Sequence, residues 1–194
     1  SQVATRTGIT RAAARRFLLT LESLGYVGRT AHGFCLLPRT LELGYSFLSS
    51  FSLPQLAQPH VQKLAHELDE PCGVTVLDED HIVYVLRIAA NRLVGARLST
   101  GSRIPAWCTA GGRVLLGSLD EATLGEYLRN LKADKLTPKT LTDKTRLRAE
   151  IRRVARQGWC ITDQQIDHGV RALAVPLHNA TGDTVAALNV SCYS

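Results

Sequence analysis

Apolar and polar positions follow a helical period near the start of the chain, in the stretch TGITRAAARRFLLTLESLGYV at residues 7–27. Steps of about 100° per residue, the α-helical repeat, give this stretch two distinct faces. The apolar face consists of Ala14, Phe17, Leu18, Leu21 and Leu24. The opposite face consists of Arg11, Ala12, Arg15, Arg16 and Thr20. With Thr10 as N-cap and Gly25 as the stop, the pattern predicts a helix with a buried face and a basic face.

The neighbouring segments predict a small winged-helix domain around this helix. The stretch SQVATRTG reads as the end of a preceding helix, which gives helix, short glycine-containing turn and basic helix, the layout of a helix-turn-helix. The short apolar runs YVGR and GFCLL predict a β-hairpin, the wing. PRTLELGYSFLSS then predicts a linker helix that begins at Pro38 and ends at a small-polar break.

From Pro54 onward the chain alternates between strand and helix patterns. Helices are predicted at residues 56–68, 107–119, 120–131 and 143–158, and strands at CGVTVL, HIVYVLRIA, LVGARLS, WCITD, VRALAVPL and TVAALNVSC. Hairpin connections between several strands indicate an α+β domain around one antiparallel sheet. We predict a winged helix-turn-helix on residues 1–37, a helical linker on residues 38–53 and a second domain on residues 54–194, with the boundary near residues 50–54.

Positive charge is concentrated in the predicted winged helix. Residues 1–50 carry six arginines against two glutamates, while the whole 194-residue chain has a net charge of +6. A basic end on a nearly neutral body predicts a polyanion-binding module, although charge alone is also compatible with a merely solvated helix. The five cysteines are far apart and none has zinc spacing, so we expect no metal and a reducing cytoplasm. No apolar run approaches the about 18 residues of a membrane span, and we expect no cofactor.

The basic helix and the wing carry the candidate contacts to double-stranded DNA. A recognition helix reads base edges with its N-terminal residues, which makes Arg11 and Arg15 the predicted base readers. Thr10 would contact the DNA backbone, and Arg16 would contact a phosphate or brace the fold. Arg29 and His32 on the wing would contact phosphate or the minor groove, and Ala12 completes the predicted DNA-binding residues.

The stretch TAGGRVLL at residues 109–116 is the candidate site for a small ligand. A Thr109 cap followed by Ala110, Gly111 and Gly112 would leave free N–H groups at a helix N-terminus, which favours an anion. The alternative is that the glycines only permit close packing between helix and sheet. Trp107 would supply a flat apolar wall for a ring. Cys108, at the same helix start, would have a lowered pKa and could support a cysteine-based enzyme, although no nucleophile motif accompanies it.

Five stretches in register resemble the IclR family of bacterial transcription regulators, over nearly the whole chain. They lie at residues 7–27, 41–50, 105–117, 153–177 and 182–191. The resemblance is closest to the branch that controls aromatic-acid catabolism. It implies an operator-binding winged helix, a linker used for homodimerisation, a GAF-like effector domain and, through that domain, association into a tetramer. A complete member has a further helix before the one that ends at Thr7.

The resemblance also implies which residues hold an effector. The expected effector is a small organic acid, an aromatic carboxylate or an intermediate of the β-ketoadipate pathway. A short 2-oxo acid is the alternative. Arg97 and Arg171 would pair with a carboxylate only if they point inward, and Arg113 is equally suited to a structural ion pair. Asn189 and Ser191 are two apart on a strand and should share a face. The implied pocket consists of Ala96, Ile104, Ala110, Gly111, Thr162, Asp163, Ala172, Asn189 and Ser191, and no catalytic residue is implied.

Overall fold

The computed structural model describes residues 2–44, 52–90 and 98–193, and the chain divides into two compact units, residues 1–52 and 53–194. Three features expected from the sequence therefore lie outside the described residues. These are residues 45–51 of the linker, most of the predicted strand LVGARLS, and the positions of Ala96 and Arg97.

The first unit has the predicted winged helix-turn-helix order. It contains helices α1 (Gln2–Thr7) and α2 (Arg11–Ser23) and strands β1 (Val27–Thr30) and β2 (Gly33–Leu36). A three-residue turn joins the two helices, and Gly8 in that turn has a φ of 70°, which suits glycine. The two strands pair antiparallel to form the wing. The linker begins as a 3-10 turn at Pro38–Thr40 rather than as an α-helix, and residues 41–44 are helical.

Helix α2 begins and ends where the sequence predicts, but its apolar face is mostly uncovered. The Thr10 side chain accepts a hydrogen bond from the Ala13 N–H at 3.2 Å, and Gly25 after the last turn has a φ of 76°. Of the five residues predicted to be buried, only Ala14 is fully buried, while the Phe17 side chain is 64% exposed. The prediction of a buried face was therefore wrong for this unit by itself, because the described residues leave Phe17, Leu21 and Leu24 exposed.

The second unit is a six-stranded antiparallel sheet with helices on both faces. Its helices are α3 (Leu53–Leu68), α4 (Ala110–Gly117), α5 (Glu121–Asn130) and α6 (Lys144–Gln157), with a 3-10 turn at Ala106–Cys108. Its strands are β3 (Cys72–Asp78), β4 (His81–Ile88), β5 (Arg103–Pro105), β6 (Cys160–Asp163), β7 (Val170–His178) and β8 (Thr184–Tyr193). The sheet has the order β5-β4-β3-β8-β7-β6, so the predicted α+β class is confirmed, and the short edge strand β5 is an addition to it.

The core lies between the inner face of the sheet and helices α4, α5 and α6. Leu116, Leu124, Leu147 and Ile151 are almost completely buried there. The helices end as their sequences indicate: Asp120 and Asp143 cap α5 and α6 through side-chain oxygens, and Gly158 stops α6 in a left-handed conformation. Helix α4 packs directly against the sheet, where it contacts β7, β8 and β6.

Candidate functional site

The basic face of α2 is accessible in the first unit. Thr10, Arg11, Ala12, Arg15 and Arg16 are all exposed. Arg11 lies in the first turn and Arg15 one turn later, so both project from the N-terminal half of the helix, the part that a recognition helix inserts into the major groove. The arrangement is suited to base contacts through arginine.

Of the two wing residues predicted to contact DNA, Arg29 is held in an ion pair and, within the described residues, His32 is not. His32 is exposed at the tip of the β1–β2 hairpin. Arg29 instead forms a bidentate ion pair with Glu22 of α2, with nitrogen–oxygen distances of 2.7 and 2.9 Å, and this partner holds the pKa of Arg29 above its usual value. The guanidinium of Arg29 also lies 6.0 Å from the centre of the Phe34 ring. Arg29 therefore joins the wing to α2 in this structure, whereas the sequence predicted only a contact to DNA.

Tight packing surrounds the two glycines at the N-terminus of α4. Thr109 accepts a hydrogen bond from the Gly112 N–H at 2.9 Å, as predicted for a cap. A methyl group on Gly111 would overlap the Asn189 side-chain oxygen and lie 2.9 Å from Thr75 Oγ1. One on Gly112 would overlap the backbone of Ala106. The two glycines thus allow close approach of helix, turn and sheet, and the role of Gly111 in an anion seat stays a prediction.

A cavity of about 340 Å³ lies against the inner face of the sheet, beside this helix end. That volume falls near the lower limit of ligand pockets, about 300–1,000 Å³. Its apolar wall includes Ile82, Tyr84, Leu98, Ile104, Ala110, Ile166 and Ala172. Its polar lining consists of Arg87, Thr109, Asp167, Asn189 and Ser191. The cavity can hold one small, mainly apolar molecule that carries a polar group.

Arg87 is the charged group in this cavity that sequence reasoning missed. Its Nη2 donates a hydrogen bond to Ser191 Oγ at 3.1 Å, and its guanidinium lies 5.0 Å from the centre of the Tyr84 ring. Its Nη1 is buried and has no hydrogen-bond partner, and no carboxylate within the described residues forms an ion pair with Arg87. A buried guanidinium nitrogen without a partner is costly, and an anionic guest would satisfy it.

A β-bulge explains why the strand pattern hides Arg87. In a regular strand, Arg87 would lie on the face opposite to Tyr84, because side chains alternate. Here Thr75 pairs with Tyr84 and Val74 with Leu86, so Val85 is an extra residue in β4. The bulge returns Arg87 to the face of Tyr84. On that face it stands beside Gly73, which pairs with Asn189 on its other side.

The structure brings together five of the predicted pocket residues and separates four others. Ile104, Ala110, Ala172, Asn189 and Ser191 line the cavity. Trp107 is buried in the core and lines a different, larger groove. Thr162 is buried on β6 opposite Ala172 without lining the cavity, and Asp163 forms ion pairs with Lys139 and Arg171 outside the cavity. Gly111, as described above, is covered by Asn189.

The remaining candidate residues, Cys108 and Arg113, are buried in the protein. Burial raises the pKa of the Cys108 thiol to about 11, which contradicts the lowered pKa expected at a helix start. Arg113 is buried and donates to the Trp107 carbonyl at 3.0 Å and to the Gln165 side chain, and desolvation lowers its pKa. Within the described residues, no cluster of three or more metal-ligating side chains is present. In the same part of the chain, no helix has the length and apolar character needed to cross a membrane.

Comparison with known families accounts for both units. The IclR helix-turn-helix domain matches residues 1–31, and the C-terminal domain of bacterial IclR transcriptional regulators matches residues 45–194. The chain belongs to the IclR family. It is accordingly a DNA-binding transcriptional regulator of the class that responds to a small-molecule effector.

Individual IclR-family proteins are similar over most of the chain. The Pca regulon regulatory protein of Pseudomonas putida is 42% identical over 194 residues, which cover 100% of this chain and 67% of the relative. A crystal structure of a transcriptional regulator from Rhodococcus sp. RHA1 is 47% identical, with a TM-score of 0.83 over 98% of this chain and 76% of that one. The inducer-binding domain of PobR from Acinetobacter, a double mutant in complex with 3-hydroxybenzoic acid, is 32% identical, with a TM-score of 0.66 over 72% of this chain and 82% of that one.

Proposed function

We propose that this IclR-family regulator senses an aromatic carboxylate, which binds in the cavity beside α4 and changes the affinity of the protein for operator DNA. The observation that carries the proposal is Arg87, a cavity-lining arginine whose Nη1 is buried without a partner. The effector carboxylate would bind Arg87 and Ser191. Its ring would lie against the apolar wall formed by residues such as Ile82 and Ile104.

Physical chemistry favours a carboxylate at this position. Arginine presents a planar set of donors that matches the two oxygens of a carboxylate, and a charge-assisted hydrogen bond is about twice as strong as a neutral one. The Tyr84 ring beneath Arg87 fixes the guanidinium before a ligand arrives, which reduces the ordering cost of binding.

The lining also favours a ring over a short 2-oxo acid. A two- or three-carbon acid would leave most of the 340 Å³ cavity unfilled and its apolar wall without contacts. The PobR domain, which is similar over most of the effector unit, was solved with 3-hydroxybenzoic acid. Both facts support an aromatic effector.

For DNA, we propose that Arg11 and Arg15 contact base edges while Thr10, Ala12 and Arg16 lie along the backbone. A helix-turn-helix of this size reads two half-sites as a symmetric homodimer, so operator binding should be bivalent. His32 at the tip of the wing is suited to a phosphate or minor-groove contact.

Isothermal titration with three ligands tests the effector proposal. Benzoate should bind, benzamide should bind much more weakly because it lacks the charge, and pyruvate should bind more weakly because it lacks the ring. Binding of benzamide and benzoate with equal affinity would refute the role of a carboxylate. Tighter binding of pyruvate than of any benzoate would instead favour the 2-oxo acid.

A further inference from the structure

Helix α2 ends in a tight turn, and a side chain from the linker completes that turn. The Tyr26 N–H donates to the Leu21 carbonyl at 2.9 Å, and the Gly25 N–H donates to the Glu22 carbonyl at 3.0 Å. The Leu24 carbonyl instead accepts a hydrogen bond from Arg39 Nη1 at 2.8 Å. A cation suits this position because the C-terminal end of a helix carries partial negative charge, and the last turn of α2 has no basic residue of its own.

Arg39 is held by a carbonyl, a ring and a carboxylate at the same time. Besides its bond to Leu24, its guanidinium lies 5.3 Å from the centre of the Tyr26 ring. Its Nε donates to Glu42 Oε2 at 3.3 Å. The Arg39 side chain is 53% exposed, so water screens the ion pair and we expect its contribution to overall stability to be small. These contacts fix a direction more than they stabilise the fold.

The residues on either side of Arg39 attach the linker to the same place. The Tyr26 carbonyl accepts hydrogen bonds from the Leu37 N–H at 2.9 Å and from Thr40 Oγ1 at 3.0 Å. The Leu37 side chain packs over Gly28, where a Cβ atom would lie only 3.1 Å from Leu37 Cδ2. All these contacts reach residues 24–28, directly after α2. The start of the linker and the recognition helix should therefore move as one piece.

We propose that Arg39 is a positioning residue for operator binding, which fixes the direction of α2 relative to the linker. The inference rests on the proposed function, because it takes as given a symmetric homodimer, joined through its linkers, that reads two half-sites. In such a dimer the attachment of each linker to α2 sets the separation and angle of the two recognition helices. Arg39 thereby determines which spacing of half-sites the protein accepts.

A direct contact between Arg39 and a DNA phosphate is the competing role for an exposed arginine near α2. The two roles have different consequences. A phosphate contact strengthens binding to every duplex alike and adds about one charge to the salt dependence. A positioning residue instead changes how binding depends on the distance between half-sites.

Duplexes with altered half-site spacing test the proposal without any effector. The wild-type protein selects a cognate duplex from random sequence, and its spacer is then lengthened or shortened by one base pair. One base pair moves the second half-site by about 3.4 Å and rotates it by about 35°.

The wild type must break the Arg39 contacts to reach the shifted half-site, whereas Arg39→Met has lost them already. We expect the ratio of the affinities for the original and the shifted duplex to be about fivefold smaller in Arg39→Met, the factor that corresponds to one ordinary hydrogen bond.

Two further variants separate geometry from charge and from folding. Arg6→Met removes the same charge from the exposed last turn of α1, and the spacing ratio should stay at the wild-type value. Tyr26→Leu removes the ring beside Arg39 and leaves the arginine in place. It should lower the ratio in the same direction as Arg39→Met, and it decides the question if Arg39→Met does not fold.

The possible failures are distinguishable. If Arg39→Met and Tyr26→Leu keep the wild-type ratio, or if Arg6→Met lowers it equally, the positioning role is overturned. An equal loss of affinity for all duplexes in Arg39→Met, with a salt dependence reduced by about one charge, would identify a phosphate contact instead. If the wild type itself binds original and shifted duplexes equally, the two-half-site homodimer of the proposed function fails, and this inference falls with it.

Discussion

Replacement of Arg87 by methionine should weaken ligand binding and leave the stability of the protein nearly unchanged. The variant keeps an unbranched side chain over the Tyr84 ring and removes the guanidinium. A hydrogen bond to a charged group contributes about 1.5–3 kcal/mol, so the affinity for benzoate should fall by roughly 10- to 150-fold.

The stability of the ligand-free protein should change little. The substitution loses the 3.1 Å hydrogen bond to Ser191, worth about 1 kcal/mol, and a cation–π contact worth about 0.5–2 kcal/mol. It also removes the buried and unpartnered Nη1, whose desolvation costs about 1–3 kcal/mol. These contributions nearly cancel, so we expect the free energy of unfolding to stay within about 1–2 kcal/mol of the wild type.

Arg171→Met is the matched control for this experiment. Arg171 also lies on a strand, but its side chain is 53% exposed and it forms an ion pair with Asp163 outside the cavity. Isothermal titration with benzoate and urea unfolding should be carried out on both variants. Unchanged benzoate affinity in Arg87→Met, or an equal loss in Arg171→Met, would refute the assignment of the carboxylate to Arg87.

Three further predictions concern the helix, the wing and the glycine at the start of α4. Arg11→Ala and Arg15→Ala should each reduce the ratio of cognate to scrambled duplex affinity, and an unchanged ratio would show that they are not base readers. Glu22→Gln should release Arg29 and steepen the salt dependence of DNA binding by about one charge, which a titration at several salt concentrations detects. Gly111→Ala should destabilise the fold by about 1–3 kcal/mol through overpacking, and a normal melting temperature would show that the helix can move away.

Helix and strand positions follow from the sequence because local patterns determine them. Helix α6 has its capping Asp143, an apolar stripe and Gly158 as the stop, and each of these operates within one or two turns. The hairpin strands β7 and β8 alternate regularly, so Asn189 and Ser191 share a face as predicted. The edge strand β5 is only three residues long and carries too short a pattern to be detected.

The lining of the cavity was less predictable from the sequence, because it depends on contacts between distant segments. The bulge at Val85 reverses the alternation of β4, and nothing in the stretch HIVYVLRIA marks the extra residue. The glycine pair in TAGGRVLL fits both an open anion seat and close packing. Asn189, 78 positions away from Gly111, packs against it and explains why a residue without a side chain is needed there. Trp107 precedes the correct helix, but it lines a different groove.

The coupling between effector and DNA is tested most directly by one measurement. The dissociation constant for a cognate duplex, selected from random sequence by the protein itself, should be determined with and without saturating 4-hydroxybenzoate, in the wild type and in Arg87→Met. We expect the effector to change the wild-type constant and to leave that of Arg87→Met unchanged at the same ligand concentration. A wild-type constant that does not respond to any benzoate, or an equal response in both proteins, would contradict a regulator controlled by an aromatic carboxylate at Arg87.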